Sequence, residues 1–166
     1  MTQPHTIMTL CLLRRAGRLA LAQKLRGFGV NRWNGYGGHV EKGEAIEEAA
    51  LRELFEESGN QVEAGPLDLH KAAILNFHFP DNKPVHEVHV FLIDRWQGEP
   101  QATEEMGEPR WFDAAGLLAV EEQMWAADRL WLPPVLGGRS IYGTFIYNAD
   151  GSEVIEHRII EASFIP

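Results

Sequence analysis

A mixed β-sheet sandwiched between helices, an α/β fold, is what this sequence predicts, and three observations carry the prediction. Residues 6–13 are a short run of apolar and β-branched side chains, the mark of a buried strand. Residues 45–58 repeat apolar side chains at helical spacing. Residues 141–147 and 154–160 flank Asn148-Ala149-Asp150-Gly151, a strong hairpin signal.

The remaining elements follow in order. Residues 14–18 contain Gly17 and turn the chain into a second strand, 19–24. Residues 26–35 hold too many glycines for a helix and read as a loop. Residues 36–40 are expected to form a short strand leading to the helix. Strands are predicted at 69–79 and 85–96, with Pro80-Asp81-Asn82-Lys83-Pro84 supplying the turn. An acidic loop at 98–109 precedes a short strand at 110–112, and Asp113 is placed to cap a helical turn at 114–118. Residues 121–131 read as a helix ended by Pro133-Pro134. Repeats, low-complexity segments and linkers do not appear, so residues 1–166 are expected to form one domain.

Composition narrows the function. A net charge of −9 argues against binding a nucleic-acid polymer, which needs a basic surface. It leaves room for one small polyphosphate, because bound cations reverse the local sign. Cys11 is the only cysteine, so no intramolecular disulfide forms, consistent with a reducing compartment. The longest early apolar run, 7–13, is too short to span a membrane. Its basic residues follow it rather than precede it, unlike a signal peptide. A cytoplasmic monomer is the expectation.

The densest chemistry lies in residues 37–60, GGHVEKGEAIEEAALRELFEESGN. At 100° per residue, Glu53, Glu56 and Glu57 fall within roughly a 100° arc with Arg52 beside it. Ile46, Ala50, Leu51, Leu54 and Phe55 supply the apolar side. Glu53 and Glu57 are like charges at i,i+4, which costs about 0.2–0.5 kcal/mol. Glu56 and Glu57 also sit in the last turn, where free carbonyls repel anions by about 0.3–1 kcal/mol. A solvated acidic face is the ordinary reading of three helical glutamates. Here they crowd the unfavourable end, beside small Ala49 and just before the helix stop Gly59. A divalent cation would remove both penalties together, and oxygen-only ligands suit Mg²⁺ or Mn²⁺.

These residues resemble a family signature. Gly38, five residues, Glu44, seven residues and then Arg52-Glu53-Leu54-Phe55-Glu56-Glu57-Ser58-Gly59 follow the Nudix box, G-x5-E-x7-R-E-U-x-E-E-x-G-U. Only Asn60 departs, standing where an apolar residue is usual. The resemblance implies the Nudix fold and hydrolysis of a nucleoside diphosphate linked to another group. It implies metal binding by Glu53, Glu56, Glu57 and the main-chain oxygen of Gly37. Glu53 or Glu56 would be the base for water, Arg52 would orient a carboxylate, and Glu44 would stiffen the loop or help an outer-shell water. The alternative for Arg52, whose neighbours are all acids, is a plain surface ion pair. Downstream, Glu104-Glu105-Met106 matches a further ligand position, Glu105 best and Glu104 second.

Outside the box, the chain is similar to the branch of this family that acts on oxidised purine nucleoside triphosphates. The matching segments are Arg26-Gly27-Phe28-Gly29, Arg32-Trp33-Asn34-Gly35-Tyr36-Gly37-Gly38, Phe77-His78-Phe79, Val88-His89-Val90-Phe91, and Met124-Trp125 with Asp128 and Leu130-Trp131. A flat damaged purine can stack on Trp125, bordered by Phe28, Phe77, Phe79 and Trp131. Asn34 offers donor and acceptor atoms to a base edge. Asp128 accepts from a purine amino group, or donates to a ring nitrogen if burial keeps its proton. Thr9 and Lys24 match pocket positions, and Lys24 also reaches phosphate. Taken singly, each aromatic is equally a core residue and Asn34 equally a turn former. The family pocket has neighbouring aspartates where this chain reads Ala127-Asp128, which leaves the preferred base open. Ordinary dNTPs or dinucleoside polyphosphates are the alternative substrates, and a non-catalytic nucleotide sensor is the alternative class.

Overall fold

The structure, a computed structural model, describes residues 3–164, so the last two residues of the C-terminal tail lie outside the description. Strand β1 (His5–Arg15) runs through the middle of the sheet. Leu10 and Leu12 face one side and Cys11 and Leu13 the other, all of them buried, which is why the run is apolar without alternation. Ala16 and Gly17, both at positive φ (51° and 73°), make a two-residue turn into β2 (Arg18–Gln23) that matches strand twist. The turn is therefore tighter than the expected 14–18, and both flanking strands extend into it.

Six further strands complete the sheet: β3 (Trp33–Asn34), β4 (His70–His78), β5 (Val85–Ile93), β6 (Arg110–Phe112), β7 (Ile141–Tyr147) and β8 (Val154–Glu161). Their order is β3-β2-β1-β5-β4-β7-β8, with β6 also paired to β2. β1 runs parallel to β5 and β4 parallel to β7, and the other pairs are antiparallel, so the sheet is mixed.

Helix α1 (Ile46–Glu57) covers one face, where Ala50 and Leu54 join Cys11, Leu13, Phe91 and Ile93. Helix α2 (Ala114–Ala119) starts at Asp113, whose carboxylate accepts from the Gly116 N–H at 2.8 Å. Helix α3 (Asp128–Leu136) covers the opposite face, where Trp131, Leu132 and Val135 join Leu12, Leu75, Val90 and Phe145. Among the described residues, no helix is long and apolar enough to cross a membrane.

Two expectations need correction. The strand expected at 36–40 is not a regular element: the paired strand comes earlier, as β3, and Tyr36 and His39 make single bridges to Cys11 and Met8. The intervening glycines let the backbone fall onto β1 unevenly. A Cβ on Gly37 would overlap the Thr9 carbonyl.

The helix expected at 121–131 is split into a 3-10 turn, Glu121–Gln123, and α3, with an irregular step between them. Asp128 makes the break. Its carboxylate accepts from the Trp125 N–H at 3.0 Å and from Trp131 Nε1 at 2.9 Å, which starts the helix afresh. Pro133 and Pro134 then lie inside α3 rather than ending it. An interior proline costs about 3 kcal/mol. Two prolines thus cost about 6 kcal/mol, a sum that burying Trp131, Leu132 and Val135 at about 1.5–3 kcal/mol per apolar side chain is of the size to offset.

Asn60, the one departure in the box, follows Gly59 in the left-handed region (φ 58° and 77°). Asparagine tolerates that conformation better than a branched apolar residue. Val62 is buried instead, its N–H donated to Ser58 Oγ at 3.0 Å.

Candidate active site

The end of α1 and the glycine loop before it form one wall of an open cleft. Glu53, Glu56 and Glu57 line it together with Gly37, Gly38, His39 and Lys24, and Glu104 and Glu105 come from the 98–109 loop. The loop can approach α1 because Gly38 lacks a side chain: a Cβ there would lie 2.5 Å from the Glu53 carboxyl carbon. The Gly37 N–H donates to Glu57 Oε2 at 2.9 Å. The carbonyls of Tyr36 and Gly38 accept from the Cys11 and Thr9 N–H groups at 2.6 and 2.8 Å, and the Gly37 carbonyl between them takes no part in that pairing.

Arg52 organises the acids rather than pairing loosely at the surface. It grips Glu44 with two bonds, Nε to Oε1 at 2.7 Å and Nη2 to Oε2 at 3.0 Å. The same guanidinium donates to Glu53 Oε1 at 2.8 Å and to the His39 carbonyl at 3.0 Å. Arg52, and then the Glu41 N–H, hold the Glu44 carboxyl down to about 2. Loop, helix and one cleft carboxylate are thus tied to a single charge.

Glu57 behaves oppositely. It is 8% exposed, and burial, with the charge of Glu53, pushes its carboxyl up to about 7 against the pull of the Gly37 N–H and Lys24. A carboxyl whose charge is disfavoured by burial and by a neighbouring acid, in an all-oxygen donor set, fits a hard divalent cation. Among the described residues, no three of these carboxylates already converge as ligands. Glu53 is engaged by Arg52, and Glu105 accepts from Arg26 Nη2 at 3.0 Å.

Adjoining the cleft, on the α3 face, is a narrow apolar pocket. Thr9, Lys24, Phe28, Asn34, Phe77, Phe79, Trp125, Asp128 and Trp131 all line it, so residues scattered over 120 positions meet at one place. Phe28 and Trp125 have ring centroids 4.9 Å apart, and Phe79 stacks on Tyr147 at 4.8 Å. Thr9 Oγ1 is buried without a hydrogen-bond partner. The Gly35 N–H occupies Asn34 Oδ1 at 2.9 Å, which leaves the amide nitrogen for another acceptor.

Sequence reasoning missed Met8, His86, Val88 and Tyr147, which also line the pocket. Period-two alternation along β5 would have found His86 and Val88 beside core Val90. Tyr147 arrives through the β4–β7 pairing, for which no local signal exists. Among the described residues, none beyond Tyr147 lines the pocket.

Asp128 is buried at the pocket floor, and burial pushes its carboxyl up to about 7 despite the N–H donors of Trp131 and Trp125 and the charge of Arg32. The folded protein therefore holds this proton more tightly than the unfolded chain. Stability is lost as pH rises from about 4 through 7. Asp128→Asn is expected to escape that loss, so thermal melts of variant and wild type should diverge in the variant's favour across this window. Parallel pH dependence in the two proteins would show that the carboxyl is not the titrating group.

Comparisons with known proteins agree with this architecture. The NUDIX domain model matches residues 3–134. The chain is 41% identical to an oxidized purine nucleoside triphosphate hydrolase of Danio rerio, and 36% identical to the Mus musculus protein of that name. Each match covers 93% of this chain and 94% of the relative. Among solved structures, it superimposes on a mutator MutT protein from Bacillus halodurans with a TM-score of 0.76 and 27% identity, over 93% of this chain and 97% of that one. With the box residues gathered around one cleft on a mixed sheet, the chain belongs to the NUDIX family.

Proposed function

We propose that this chain is a single-domain, magnesium-dependent diphosphohydrolase. It converts oxidised or otherwise modified purine nucleoside triphosphates, of the 8-oxo-dGTP type, into monophosphate and pyrophosphate, which keeps damaged bases out of the pool from which DNA is made. It acts as a cytoplasmic monomer, without a nucleic-acid polymer or membrane. The observation that carries the reading is a shared wall: Met8, Lys24, Gly37 and Glu57 line both the aromatic pocket and the acidic cleft. A purine seated among the aromatics therefore delivers its phosphates to the carboxylates.

Nudix hydrolases use divalent metals. Glu53, Glu56, Glu57, Glu105 and the Gly37 main-chain oxygen would hold Mg²⁺, or Mn²⁺ in its place, which when bound would neutralise charge on the phosphoryl oxygens and acidify the attacking water. Glu53 or Glu56 takes the water's proton. Arg52, fixed by Glu44, holds Glu53 in place, and Lys24 meets phosphate at the wall between the chambers. Trp125, Phe28, Phe77, Phe79 and Trp131 enclose the base, while Thr9, Asn34 and Asp128 read its edge. Asp128 donates when protonated and accepts when ionised, so it is suited to more than one tautomer of a damaged base.

Pyrophosphate release across a panel of oxidised purine triphosphates, ordinary dNTPs and dinucleoside polyphosphates tests the reading. Oxidised purines should lead in kcat/KM, and a panel led by ordinary dNTPs would overturn it. Ala127 adjoins Asp128 without a carboxyl, and its N–H is donated to the Tyr147 hydroxyl at 3.2 Å. A base that relies on a second carboxyl loses about 1–3 kcal/mol here. Ala127→Asp is expected to widen the range of oxidised purines accepted. An unchanged ranking over the panel would count against the role given to this position.

A further inference from the structure

Arg32 is the charged side chain near the base pocket with no role so far. It leaves the glycine loop just before β3, and its guanidinium carbon lies 4.1 Å from the centroid of the Trp125 indole. Among the described residues, its guanidinium makes no hydrogen bond and lies within ion-pair distance of no carboxylate. Arg14, Arg15, Arg26 and Arg52, by contrast, each bind one. A half-buried guanidinium without an anion gives up hydration, and the indole face is the group it gains in return.

Trp125 needs such a hold. It lies in the irregular step between the 3-10 turn and α3, outside any helix, and its indole N–H has no partner among the described residues. Its ring edge rests on Gly29, where a Cβ would come within 3.1 Å. Phe28 approaches it from the same loop. Arg32 itself does not line the pocket, so it can act on a ligand only through the indole.

We propose that Arg32 is a positioning residue for base recognition: its guanidinium, stacked on Trp125, fixes the indole as the platform for the purine and sets the preference for oxidised over ordinary bases. The cation draws electron density from the indole, and an extra oxygen makes a purine richer in electrons, so the pair stacks better. The charge of Arg32 also acts on the Asp128 carboxyl and the Tyr147 hydroxyl across the same pocket. This inference rests on the proposed reading of the pocket as a modified-purine site.

The test compares wild type, Arg32→Gln and Arg32→Lys with an oxidised guanine triphosphate and with dGTP. Arg32→Gln is expected to raise KM for the oxidised nucleotide about 3- to 30-fold. Its kcat should stay within twofold, and the oxidised-to-ordinary preference should shrink. Arg32→Lys, which keeps the charge and loses the planar stack, should recover part of the loss. Quenching of tryptophan fluorescence by the oxidised guanosine monophosphate, in metal-free buffer, should weaken by the same factor.

A lower kcat at unchanged KM, or Lys no better than Gln, would overturn the proposal. Equal quenching by wild type and Arg32→Gln would do the same. The monophosphate titration reads base binding whether or not turnover occurs. Absence of pyrophosphate from the wild type would therefore sink the functional reading separately. If Arg32→Gln melts early, the charge-retaining Arg32→Lys must still show a KM between those of wild type and Arg32→Met, or the proposal fails.

Discussion

Glu57→Gln is expected to lose turnover by on the order of 100-fold or more while making the metal-free protein more stable at alkaline pH. Replacing residues that merely orient metal ligands costs about 10–100-fold, so removing a carboxylate assigned to the ion itself should reach at least the upper end. Glutamine still accepts the Gly37 N–H that now bonds Oε2 at 2.9 Å, so the loop keeps its anchor. The stability gain follows from the raised carboxyl. Its value in the fold, about 7, exceeds the ordinary 4.5, so wild type loses stability as pH climbs from about 4.5 through 7. At 1.36 kcal/mol per unit, that loss is up to about 3 kcal/mol, and the amide does not incur it. Magnesium should reverse the order, because an ion bound by the folded state alone stabilises it. Melts at pH 8 with and without Mg²⁺, alongside pyrophosphate release, check all three statements. Turnover within a few-fold of wild type would refute the role given to Glu57.

Gly37→Ala should be the most damaging single-methyl change at the site. The added carbon would overlap the Thr9 carbonyl and crowd Leu10 Cα at 2.9 Å, both of them main-chain atoms of the central strand. A flexible side chain could move aside; a backbone in a paired sheet does so only by breaking pairing. Overpacking of this kind costs about 3 kcal/mol or more, equivalent to a fall of roughly 6–12 °C in Tm for a chain of this size. Gly107→Ala is the control, since its Cβ would meet nothing nearer than the Gln23 carbonyl at an ordinary 3.5 Å. Similar melts for the two variants would show that the glycine loop does not press on β1 as described.

Much of this was legible in the chain because the local signals agreed with the tertiary outcome. The central strand is apolar on both faces because helices cover both faces. The hairpin of β7 and β8 sits where its turn residues place it, and the box helix ends where Gly59 turns left-handed. What could not be read is what depends on remote partners. Asp128 breaks a helix that periodicity alone would have continued: the two N–H groups it accepts from are only three residues away on either side, but it is burial against the sheet that obliges the carboxylate to take them. Buried Trp131, Leu132 and Val135 offset two prolines that would end an isolated helix. Periodicity also put Glu53, Glu56 and Glu57 on one face without revealing that Arg52 already engages Glu53 while Glu57 is buried. Arg32 was unreadable for the same reason: its partner is an indole 93 positions away.

The sheet has helices of different duty on its two faces, the box helix on one and the helix beside Trp125 on the other. Substitutions around α3 therefore act mainly on which base is accepted, while Met8, Lys24, Gly37 and Glu57, common to both chambers, are where diet and speed cannot be changed separately. Descendants of such a protein are free to drift toward new damaged bases by exchanging side chains around α3, and selection can hold the cleft constant while they do so.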